Sequence, residues 1–79
     1  MRDMKPLVYY CRWQRASLRL RGRDSTAVWG QLVQKTAEGK EKTSEFRYQL
    51  ESAELIVNDG EQEYFYHLDE KGIPFSKDD

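Results

Sequence analysis

The chain contains one cysteine, Cys11, and one histidine, His67, among its 79 residues. A lone cysteine excludes an intrachain disulfide, and a thiolate metal cluster would need ligands that the sequence does not contain. This usage suits a reducing compartment, so a cytoplasmic location is expected. Long apolar runs are missing too. Nothing approaches the roughly 18 residues that a membrane span needs, and no basic start leads into an apolar signal core. The five glycines are scattered singly, which leaves no glycine-rich phosphate loop.

Catalytic groups are equally scarce. Tyr66 and Asp69 lie close to His67, but no nearby nucleophile carries its own base and orienting partner. His67 therefore reads as a strand residue facing solvent beside Glu63 or Asp69. Cys11 sits among apolar neighbours, where an inert buried thiol is expected. Asn58, Asp59, Gly60 and Glu61 share composition with part of a calcium loop, yet the alternating upstream oxygens and the closing glutamate are absent, so the stretch reads as a turn. The expectation is a non-enzymatic chain with no metal and no cofactor.

What the sequence does have is aromatic content and a segregated charge. At this length only one lean core is available, and the 13% aromatic fraction supplements it. Residues 1–23 hold Arg2, Lys5, Arg12, Arg15, Arg19, Arg21 and Arg23 against Asp3 alone, whereas residues 24–79 hold six basic and thirteen acidic side chains. The net charge of −1 conceals this asymmetry.

Period-two patterning and turn residues divide the chain into six short strands. Leu7 to Gln14 places Leu7, Tyr9, Cys11 and Trp13 on one apolar parity. Ser17 to Arg23 sets Leu18 and Leu20 against Ser17, Arg19, Arg21 and Arg23. Ala27 to Lys35 follows, then a polar loop from Thr36 to Lys42, then Thr43 to Glu51 with Phe46, Tyr48 and Leu50 inward. Glu54 to Val57 and Glu63 to Leu68 flank the Asn58, Asp59 and Gly60 turn. The fold class is thus mainly β, a single small antiparallel meander of about six strands that forms a curled sheet, barrel or sandwich. The alternative is an α+β chain with a helix near 26–37, where Val28, Trp29, Leu32 and Val33 also recur at helical spacing. The same ambiguity touches Tyr9, Trp13, Ala16 and Leu20. The domain comprises 7–75, between a lead-in at 1–6 and a frayed tail at 76–79.

As a strand, residues 17–23 would project Arg19, Arg21 and Arg23 from one face at about 6.6–7 Å, similar to successive phosphates on one nucleic-acid strand. Tyr10 on the outward parity would add a stacking platform, and Arg12 and Arg15 would extend the patch. As a helix, Arg12, Arg15, Arg19 and Arg23 would share a face. Against a ligand role, the same arginines would pair across strands with Glu45, Glu51, Glu54, Glu61 and Glu63. Phe65, alone on its parity, either lies under Ile73, Pro74 and Phe75, which is preferred, or marks an exposed patch. The functional expectation is a small interaction module that binds a protein partner or itself through a sheet edge or aromatic patch. The alternative is nucleic-acid binding through Tyr10, Arg12, Arg15, Arg19, Arg21 and Arg23; no membrane partner is expected.

Overall fold

The computed structural model describes residues 4–75. One helix, α1 (Lys5–Gln14), is followed by six strands: β1 (Ala16–Arg23), β2 (Ala27–Lys35), β3 (Glu41–Gln49), β4 (Glu54–Asn58), β5 (Glu63–Leu68) and β6 (Pro74–Phe75). They form one antiparallel sheet in sequential order, with β1 and β6 at its edges, and it does not close into a barrel. The expected tail at 76–79 lies outside the described residues.

The first segment is the main correction, since Leu7 to Gln14 is helical and not a strand. Pro6 stands in the first helical turn, where its fixed φ fits and its missing N–H leaves no bond unmade. Leu7, Tyr10 and Cys11, at helical spacing, form the buried stripe. Lys5 and Pro6, expected in the lead-in, belong to this helix. It ends at Arg15, whose left-handed backbone (φ 55°, ψ 42°) turns the chain directly into β1. The Gln34 side chain ties the junction by donating to the Gln14 carbonyl at 3.0 Å.

The segment at 26–37 holds strand β2 and no helix. Gly30 explains why the local helical spacing loses. A Cβ there would collide with the Arg19 carbonyl of the neighbouring strand, so close β1–β2 pairing requires this glycine. Asp24 shapes the preceding turn by accepting the Thr26 hydroxyl and the Thr26 and Ala27 amides, and these bonds hold its carboxyl below the ordinary carboxylate range.

The core lies on one face only. Val28, Leu32, Phe46, Tyr48, Leu55, Val57 and Leu68 meet Leu7, Tyr10 and Cys11 of α1 across it. The turn between β5 and β6 docks on the same helix. Asp69 accepts from the Lys71 and Ile73 amides there, and Gly72 packs so tightly that a Cβ would fall 2.6 Å from the Tyr10 nitrogen. The Asn58–Gly60 turn uses its oxygens similarly, with Asn58 accepting from Gly60 and Asp59 from Glu61 and Gln62.

Candidate functional site

The other face of the sheet carries no covering element among the described residues. Residues directly opposite in neighbouring strands point to the same side, so register identifies what this face presents. Trp29 pairs with Arg47, Arg47 with Ile56, and Ile56 with Phe65, a row that crosses β2, β3, β4 and β5. The Arg47 guanidinium lies over the Trp29 ring at 5.5 Å, which fixes a long cation on the sheet surface. Phe65 ends the row 64% exposed. The expected cover of Phe65 by Ile73–Phe75 is not formed, because β6 pairs instead with His67 and Leu68. The two described residues of β6 stand opposite Leu68 and His67, not opposite Phe65.

Next to this row, His67 stands opposite Glu54 and Phe75 opposite His67. The imidazole is 3.6 Å from the Glu54 carboxylate, not beside Glu63 or Asp69, and its ring is tilted against Phe75 at 5.9 Å. Cys11 lies beyond the other face, on α1, so no Cys–His pair is assembled. Burial pushes the Cys11 thiol up to about 11, which keeps it protonated at neutral pH.

The six residues expected to bind occupy three different settings. Tyr10 is in the core at 8% exposure, tilted against Tyr66 at 5.8 Å, so it is not an outward stacking platform. Burial first, then the neighbouring Tyr66, raises its phenol to about 12. Arg12 is exposed on α1 and Arg15 forms the helix cap. Arg19, Arg21 and Arg23 all lie on edge strand β1, but a bulge between Leu20 and Gly22 interrupts their alternation. Arg19 stands opposite Gln31 on the uncovered face, Arg23 opposite Val28 on the helix side, and Arg21 has no partner in register. A phosphate-spaced ladder is therefore absent.

The expected cross-strand neutralisation is absent too. Among the described residues the only strand beside β1 is β2, which contains no carboxylate, and no arginine makes an ion pair. The acids lie farther across, with seven carboxylates against two cations between Glu41 and Leu68. The sheet is thus electrically polarised across its width, basic at β1 and acidic towards β5. Sequence reading missed the Trp29–Phe65 row because its members are spread over 37 positions and only strand register unites them. The signal available was the outward parity of Trp29 in β2.

Comparison with protein-family models, with curated proteins and with solved structures finds no match to this chain. The fold and surface define a small antiparallel meander with a helix on one face and no covering element on the other among the described residues. No helix among the described residues is long and apolar enough to cross a membrane.

Proposed function

We propose that the chain is a non-enzymatic interaction module of the cytoplasm that docks a protein partner, or a second copy of itself, on the bare face of its sheet. The observation that carries this reading is the continuity of Trp29, Arg47, Ile56 and Phe65 across four adjacent strands. Single exposed apolar residues are ordinary, and adjoining ones on neighbouring strands support a contact-surface reading. Trp and Arg are enriched among residues that dominate interfaces, and the stack of Arg47 on Trp29 orders both before a partner arrives.

A photo-cross-linking residue placed at position 65 of the full chain, with position 38 as control, tests it in the native cell. Discrete adducts from position 65 alone, lost on combined Trp29→Ala and Arg47→Ala substitution, are expected. Identical adducts from both positions, or none from position 65, overturn the proposal.

Nucleic-acid binding is the second reading, favoured by one observation: the β1 arginines have no carboxylate on the adjoining strand. It requires binding to single-stranded DNA, duplex DNA or RNA that weakens steeply with salt and is lost on Arg19→Ala with Arg21→Ala. The interrupted ladder and the burial of Tyr10 weigh against it.

A further inference from the structure

A second surface lies outside that row, where α1 meets the turn between β5 and β6. Tyr9, Arg12 and Trp13 are spaced i, i+3 and i+4, which gathers them on one side of the helix, away from the buried Leu7, Tyr10 and Cys11 stripe. Lys71 approaches from the turn, and the four residues line a cavity of about 580 Å³. That volume falls within the range of small-molecule sites, roughly 300–1,000 Å³.

The walls are held in place from both sides. The Trp13 indole N–H donates to the Lys71 carbonyl at 3.2 Å, so an exposed tryptophan, 65% accessible, keeps one orientation. Lys71 in turn belongs to the tight Asp69–Ile73 turn, which Gly72 seats against the helix backbone. One Asp69 carboxylate oxygen accepts from both the Lys71 and Ile73 amides, and no carboxylate among the described residues lines the cavity. Arg12 and Lys71 make no ion pair among the described residues. Neither Tyr9 nor Trp13 has a ring partner among them. Two unpaired aromatic surfaces beside two unneutralised cations are complementary to a flat ring that carries negative charge.

We infer that this cavity binds a planar aromatic anion, a ring bearing a phosphate or a carboxylate, with Tyr9 and Trp13 contacting the ring and Arg12 and Lys71 holding the charged group. The site does not depend on the docking face, so either proposal stands or falls without the other.

The test follows the Trp13 indole N–H signal by NMR in the unmodified full chain, assigned with the Trp29→Phe variant, which leaves Trp13 as the single tryptophan. Four probes are titrated: adenosine 5′-monophosphate, indole-3-acetate, adenosine and inorganic phosphate. Saturable shifts are expected from at least one of the two aromatic anions, the tighter of them naming the charged group. Adenosine, which lacks the charge, and phosphate, which lacks the ring, bind at least tenfold more weakly. Combined Arg12→Gln and Lys71→Gln substitution weakens the anion at least tenfold and leaves adenosine unchanged. These are exposed positions, and the amide spectrum checks that the fold is retained. No saturable shift, equal affinity for adenosine and its monophosphate, or unchanged anion binding in the double variant overturns the inference.

Discussion

Replacing Gly72 by alanine tests how the helix is fastened to the sheet. Gly72 has φ +79°, and an added Cβ would sit 2.6 Å from both the Tyr10 nitrogen and the Tyr9 Cβ, and 2.7 Å from the Pro6 carbonyl. The left-handed backbone costs an alanine about 1–2 kcal/mol, and forcing a methyl group into packed backbone adds about 1–3 kcal/mol. Gly39 supplies the control, with φ +86° and nothing within 4 Å of its added Cβ. Both variants carry the same left-handed strain and the same loss of freedom in the unfolded chain, so their difference isolates the contact with α1. Thermal melts should place Gly72→Ala below Gly39→Ala by roughly 4–24 °C, as each kcal/mol shifts a domain of this size by 4–8 °C. Hydrogen exchange should accelerate at the α1 amides in Gly72→Ala and remain slow in β2 and β3. Equal destabilisation by the two substitutions would refute the docked turn.

Three further outcomes follow from the same contacts. Leu7 is fully buried, so Leu7→Ala should cost about 2–5 kcal/mol and shift the urea midpoint accordingly; a loss under 1 kcal/mol would contradict its place in the core. Folding raises Cys11 from 9.0 to about 11 and Tyr10 from 10.0 to about 12, so above pH 9 the unfolded chain releases these protons first and stability declines up to about pH 12. Roughly 1–2 kcal/mol per group is expected after allowance for partial solvent screening, and a urea midpoint independent of pH from 8 to 11 would contradict it. Phe65→Ser should leave stability within about 0.5 kcal/mol while abolishing partner capture, a combination that a packing role for this ring cannot produce.

Much of the sheet was legible because period-two patterning and turn chemistry agree from Ser17 onward. β2 and β5 coincide with their expected limits, and Phe46 and Tyr48 point inward as their parity requires. Leu7 to Gln14 failed as a strand because one short apolar stretch satisfies both periods, and tertiary packing chose between them: the helix buries Leu7, Tyr10 and Cys11 over a face that the sheet alone leaves bare. That error carried Tyr10 to the wrong surface. The arginine ladder failed for a different reason. A bulge is one inserted residue, invisible to alternation counted along a single strand, and it sets Arg23 on the opposite face from Arg19. Pairwise register, which no single segment contains, is likewise what joins Trp29 to Phe65.

The placement of charge now has a physical reading that the net value of −1 obscures. Cross-strand pairing stabilises a sheet only when opposite charges occupy neighbouring strands, and here β2, free of carboxylates, separates the arginines of β1 from the acids of β3 to β5. The arginines therefore contribute little to holding the sheet together. Their location on an open edge, next to a bulge, does what charged edges generally do, which is to discourage unselective strand addition by other chains. On the uncovered face the Trp29–Phe65 row is also flanked by charge, with Arg19, Glu45 and Glu63 to one side and Glu54 to the other, while Arg47 within it lies on Trp29. Neutralising Arg19 and Arg21 should accordingly lower solubility before it lowers stability, through pairing at β1 and not through the Trp29–Phe65 row.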